Sequence, residues 1–389
     1  MTSLVDEFAD IRPYSDHEVR DVLDAMLRDD ELIATIANLR LKSLYSLFPW
    51  IVKPLLRAFL RKEFAGVNTV EAFQHKVKIY MDRMIEKTTT GFTVSGLDAL
   101  AVDKPYLFIS NHRDIALDPA FVNYALYHND HETVRIAIGD NLLSKPFAAD
   151  LMRLNKSFIV KRSAKGPRQM LATYKQLSAY IRYSIDVDNN PIWIAQREGR
   201  AKDGLDRTEP AIIKMLTMAM NKETESFSDY IRHLHIVPVS ISYEFDPCDG
   251  AKARELFQKA HEGGYQKGEH EDLTSIALGI SGQKGAVHVS FGTPLDIPFN
   301  DADEVASTID KQVINNYVLH PTSFFAWHAL HGNYPDLPCG AEAKLFDPQR
   351  YAAEGEQFAA RIAALPEPHR PYALAIYANA IASKLELAN

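Results

Sequence analysis

From Gly91 onward the chain alternates short β-rich runs with stretches of helical periodicity, and this alternation constrains the fold more than any other feature. Residues 92–94, 106–109, 134–138, 158–160, 191–195, 236–241 and 287–291 read as strands. Residues 119–127, 146–154, 168–183 and 210–219 carry apolar positions at helical spacing between them. Strands that alternate with helices pack as layers on one sheet, and a crossover helix returns the chain in parallel. The expectation is an α/β fold with a mostly parallel central sheet and helices on both faces, flanked by helical ends. From Asp16 to about Thr89 apolar residues such as Val19, Val22, Leu23, Met26 and Leu27 recur every three or four positions, and residues 351–365 and 372–387 are helical in pattern. Three regions follow: helical 1–90, α/β 91–318 and helical 319–389.

Charge and cysteine usage narrow the function classes. Lys and Arg total 43 against 51 Asp and Glu, a net charge of −8, which argues against nucleic acid as a partner. Cys248 and Cys339 are too few and too far apart for a structural zinc site or a disulfide framework. No metal is expected, and the setting is reducing and cytoplasmic. The first seven residues carry no basic segment followed by an apolar run, so no export signal is expected, and no apolar run reaches the ~18–20 residues of a membrane span.

Residues 40–62 stand apart, with six basic side chains, no acidic one, and Tyr45, Phe48, Trp50 and Phe59. Lys53, Arg57 and Arg61 form one i, i+4 ladder and Ile51, Leu55 and Phe59 another, on different sides of a helix. Such a helix lies on an anionic bilayer, or packs on its own domain. Pro49 and Pro54 each start or kink a helix, so the regular run is expected from Pro54.

The polar residues with chemical potential follow the predicted strands. After 106–109 come Asn111, His112, Arg113, Asp114 and, before Pro119, Asp118, which has the pattern of a helix N-cap ahead of an N1 proline. A histidine at a strand end is a base near neutral pH, and a carboxylate on its other nitrogen fixes its tautomer. Residues 158–160 end in Lys161 and Arg162, and 191–195 lead into Arg197, Glu198, Gly199 and Arg200. Arginines there suit phosphate, and glycine admits close approach of a ligand to the backbone. His128, His131 and Glu132 read as a polar loop rather than a metal set, and Cys248 as part of a turn.

In this order the segments resemble the glycerolipid acyltransferase superfamily, which includes the 1-acylglycerol-3-phosphate and glycerol-3-phosphate acyltransferases. Asn111, His112 and a downstream Asp correspond to its first motif, Phe158, Ile159 and Arg162 to its second, Arg197, Glu198, Gly199 and Arg200 to its third, and Val237, Pro238 and Val239 to its fourth. Phe291 to Pro294 are similar to its closing turn, so the resemblance runs from Gly91 to about Asp296. The family places four residues between His and Asp. Here Asp118 follows after five and Asp114 after one; either can be the orienting acid, and Asp118 is favoured because it keeps the family's position at the start of the following helix. The third motif has Arg197 in place of proline and lacks the threonine, as in a bacterial branch with less uniform acceptors, amino-acid-containing lysolipids among them.

The resemblance implies direct acyl transfer from an acyl carrier protein or coenzyme A thioester to a hydroxyl of a lysolipid acceptor. His112 would be the base, with Asp118 or Asp114 orienting it. Asn111, Lys161, Arg162, Glu198, Gly199 and Arg200 would bind substrate, with no cofactor beyond the thioester co-substrate. A peripheral position on the inner face of the cell membrane, reached through residues 40–62, would suit such an enzyme. The rivals are a thioester or lysolipid hydrolase using the same base and an inactive lipid-binding homologue.

Overall fold

The computed structural model describes residues 7–143, 145–268 and 271–388. The first six residues, where an export signal was sought, lie outside the described residues. Every expected strand is present: β1 (Thr89–Ser95), β2 (Leu107–Ser110), β3 (Arg135–Gly139), β4 (Ser157–Val160), β5 (Ile192–Ala195), β6 (Ile236–Tyr243) and β7 (Gly285–Phe291). The described pairs β1–β7, β2–β5, β2–β6 and β3–β4 are parallel, and β6–β7 is antiparallel. The architecture is therefore α/β with mostly parallel strands. The chain divides into two compact units, residues 1–81 with 135–176 and residues 82–134 with 177–389.

In the first unit, Val19, Leu23, Met26, Leu32, Val67, Phe73 and Leu154 form a core, and Leu27, Ile33 and Leu60 extend it. The helix Asp30–Leu47 starts where the Asp29 carboxylate accepts the N–H groups of Glu31 and Leu32 at 2.7 and 2.8 Å, and it kinks at Leu41. The next helix spans Pro49–Glu63, correcting the start expected at Pro54. Pro49 occupies the first turn, where a missing N–H leaves no bond unmade, and exposed Pro54 lies inside the helix, where the carbonyl it fails to pair can turn to water. Val52 and Leu60 face the core, while Ile51, Leu55 and Phe59 are exposed. Arg57 turns inward, its Nε donating to the Leu27 carbonyl at 3.0 Å and its guanidinium reaching Asp30.

In the second unit the strands run in the order β1-β7-β6-β2-β5. All eight residues of β6 are buried, as expected of a strand flanked on both sides and covered on both faces. The C-terminal helices Ala352–Ala363 and Arg370–Ala388 pack here, with Phe358, Ile362, Ala373, Ile376 and Tyr377 sharing a cluster with Phe245 and Ala253. Beyond Tyr317 the sequence offers no strand signal, yet two-residue strands β8 (Pro338–Cys339) and β9 (Lys344–Leu345) pair antiparallel. Such short ladders leave too few positions for a periodic pattern. Among the described residues no helix is long and apolar enough to cross a membrane.

Candidate active site

His112 follows β2, and its carbonyl accepts the N–H of Ala201 at 2.7 Å, which ties it to the turn after β5. Its Nδ1 lies 2.8 Å from Asp118 Oδ2. Carboxylate oxygens accept, so Nδ1 carries the proton and Nε2 is left as the basic nitrogen. The ring stands edge-on to Trp193 at 5.8 Å and is 14% exposed, while Asp118 is fully buried. A base that faces solvent with its orienting acid shielded is what proton abstraction from a bound hydroxyl requires.

The sequence left two acids open, and the geometry separates them. Asp118 Oδ2 also accepts the N–H groups of Arg113 at 2.6 Å and Asp114 at 2.9 Å, and its Oδ1 accepts the Tyr243 hydroxyl at 2.6 Å. Asp114 accepts the N–H groups of Ala116 and Leu117 at 3.0 and 2.9 Å. The helix begins at Leu117 with Ala116 at its N-cap, so Asp118 is not the cap but lies in the first turn, and Asp114 meets the N–H groups ahead of it. The extra residue of this motif is thus accommodated in the loop that Asp114 caps. Burial, and then the Asp118 charge, hold the Asp114 carboxyl above the usual carboxylate range.

A second ring of buried charge fixes the loop. Arg113 donates to Asp206 at 2.6 Å and to the Gly204 carbonyl at 3.1 Å, and stacks over Tyr317. Lys252 donates to the Arg113 carbonyl at 2.7 Å and pairs with Asp246. Lys252 and Arg113 sit against carboxylates because a buried cation without a partner is strongly disfavoured.

The expected substrate-binding residues fall into different surroundings. Asn111 is fully buried, its amide donating to the Ile241 carbonyl at 3.0 Å and to Asp206 at 3.2 Å and accepting the Ile241 N–H at 2.8 Å. It locks β2 to β6 ahead of His112. Glu198 and Gly199 are exposed in the turn after β5, Gly199 at φ 76°, a conformation that favours glycine. Arg200, half-buried, lies 3.5 Å from Ser275 Oγ. Lys161 and Arg162 belong to the first unit, where the Lys161 ammonium pairs with Asp10 and the Arg162 N–H donates to Asp140 at 3.0 Å. Burial, and then Asp246, push the Cys248 thiol up to about 11, which does not suit a nucleophile.

Tyr243, Asp206, Lys252 and Tyr317 belong to this arrangement and were not singled out in the sequence. Tyr243 had a usable signal, since it shares a face of β6 with Val239 and Ile241 by period two. The others lie in segments without a motif.

Residues 91–242 match the family model described as Acyltransferase. Among solved structures the chain is similar to the 1-acyl-sn-glycerophosphate (LPA) acyltransferase, PlsC, from Thermotoga maritima, at 12% identity and a TM-score of 0.38, over 72% of this chain and 92% of that one. No curated protein matches the chain. The family match spans the segment from β1 through β6, with His112, Asp118 and the turn after β5 inside it, so residues 91–242 are similar to an acyltransferase domain.

Proposed function

We propose that the protein transfers a fatty acyl group from an acyl carrier protein or coenzyme A thioester to a hydroxyl of a lysophospholipid-type acceptor, resembling 1-acylglycerol-3-phosphate. The observation that carries this reading is the His112–Asp118 pair at the end of β2, with Nε2 free of Asp118, inside the segment that matches the acyltransferase family model. The acceptor oxygen attacks the thioester carbonyl as Nε2 takes its proton. The tetrahedral intermediate then collapses with cleavage of the C–S bond, and the proton passes to the departing thiolate. Asp118 stabilises the imidazolium formed between the two steps. Arg200 supplies positive charge for the acceptor phosphate, and Glu198 and Gly199 shape its surroundings. The chemistry calls for no metal or redox cofactor.

A peripheral position on the cytoplasmic membrane face belongs to the same proposal. It is supported by Leu47, Trp50 and Leu55, which are 69%, 73% and 65% exposed on a segment with six basic residues. Large apolar side chains facing water beside cations suit an anionic bilayer surface.

The test is product detection by mass spectrometry with purified protein, both thioester types, and a panel of phosphate-bearing and amino-acid lysolipids. A diacyl product lost in His112→Ala supports the reading and identifies the acceptor. Thioester loss that is independent of every acceptor replaces it with a hydrolase. Intact thioester beside liposome binding replaces it with a lipid-binding role.

A further inference from the structure

The four donors on Asp118 are not equivalent. Three of them, the Nδ1–H of His112 and the N–H groups of Arg113 and Asp114, converge on Oδ2. The Tyr243 hydroxyl alone serves Oδ1. Both side chains are buried, so water does not replace the hydroxyl if it is lost. The position of Tyr243 is set from two sides. Its ring lies edge-on to Phe121 at 5.9 Å, and its strand is pinned two residues earlier, at Ile241, by the Asn111 amide. Burial, and then the Asp118 charge, keep the phenol protonated and therefore a donor.

We propose that Tyr243 is a positioning residue for the His112–Asp118 pair: its hydroxyl holds the carboxylate toward His112 and draws charge to Oδ1, weakening the pull of Asp118 on the imidazole. The meaning of this for catalysis rests on the acyl-transfer reading, whereas its effect on the histidine does not. Without the hydroxyl, the carboxylate charge falls more heavily on Oδ2, the imidazolium is better stabilised, and His112 gains its second proton at higher pH. A more acidic phenol donates more strongly and moves it the other way.

Other charged and titratable groups face the pair. Asp114 lies on the same loop, Arg113 and Asp206 pair beside it, and Lys252 of the helix Asp249–His261 approaches with Asp246 of the turn before that helix. Tyr317 stands at the end of the helix Ala302–Asn316, and Lys284 interacts with Asp114 from the start of β7. All of them remain when only the Tyr243 hydroxyl changes.

The experiment follows the His112 imidazole by NMR titration of the full chain labelled with ¹⁵N-histidine, without substrate, using His112→Gln to assign the signal. Tyr243→Phe should raise the His112 midpoint by about half a pH unit, and 3-fluorotyrosine at position 243 should lower it. A purely structural role predicts no such pair of opposite shifts, so an unmoved midpoint or two shifts of the same sign overturns the proposal. Should Tyr243→Phe not fold, the sign of the fluorotyrosine shift decides alone. In turnover, the acid limb of kcat/KM should follow the NMR midpoint. Opposite NMR shifts with no acyl product from any acceptor would uphold the role of Tyr243 while removing the acyl-transfer reading.

Discussion

The loop that carries His112 and the helical turn around residues 41–59 treat their side chains in opposite ways. In the loop, charged groups are withdrawn from water and each is met by partners: Asp118 by four donors, Arg113 by Asp206, Lys252 by Asp246. In the helices around this turn, Leu44, Leu47, Phe48, Trp50, Leu55 and Phe59 are exposed. Burying charge costs free energy that only fixed geometry offsets, and exposing this much apolar surface forgoes roughly 25 cal/mol per Å². Each region departs from the arrangement that stability alone favours. One departure fixes a base, and the other leaves a surface with something to gain from contact.

The largest effect should come from the base itself. His112→Ala removes Nε2 yet leaves Asp118 Oδ2 with its two backbone donors, so the loop should hold while acyl-transfer kcat/KM falls by ~10²–10⁴-fold, measured with a thioester and an active acceptor. An unchanged rate would mean that the pair is structural and chemically idle.

Acid should act on the buried unit next. His288 sits between the hydroxyls of Thr93 at 2.7 Å and Ser95 at 2.9 Å, and burial lowers it to about 4. His320, 3.1 Å from Ser242 Oγ, is lowered to about 3 by burial and then by His288. In the unfolded chain both titrate near 6.5, so below that pH the unfolded state binds more protons than the native one. The contribution is full above about pH 6.5 and is lost as pH falls toward 4, amounting to roughly 3 kcal/mol for His288 alone. Urea midpoints at pH 7 and pH 4 should show this loss, and His288→Gln should flatten it.

Gly279 offers a smaller and more local test. A Cβ there would stand 2.3 Å from Asp114 Oδ2, and Asp114 cannot swing aside without uncapping the helix at Leu117. The collision should cost about 1–3 kcal/mol, partly offset by the ~1 kcal/mol helix preference for alanine. Gly279→Ala should therefore lower the unfolding temperature and the acyl-transfer rate together. A stabilised variant would show the loop to be softer than its hydrogen bonds suggest.

What the sequence made legible divides along the same line. Strands were legible because each is a local run of β-formers, and His112 was legible because it ends one of them beside a polar loop. The division of roles between Asp114 and Asp118 was not, since only the folded loop shows which N–H groups each carboxylate meets. Tyr243, Asp206 and Lys252 act on the loop from 125, 93 and 139 residues away, through strand pairing and helix packing that no local pattern encodes. Around residues 41–59 the two ladders were readable as ladders. Neither ladder faces the core, which Val52 and Leu60 meet instead, while Arg57 is held by Asp30 and the Leu27 carbonyl.

The smallest effect on stability should come from the exposed apolar row of this region, and it bears on why the row is there. Leu47, Trp50 and Leu55 contribute little to the core, so replacing all three by serine should change the unfolding free energy by no more than about 0.5 kcal/mol. If the exposed row serves a bilayer, the same variant should lose sedimentation with anionic liposomes while its dyad still turns over thioester with a dispersed acceptor. If the row is covered by part of the protein's own fold in solution, the variant should instead lose stability and keep its liposome binding. The two outcomes are opposite in both measurements because apolar area lowers free energy only where it is removed from water, and the experiment asks which contact removes it.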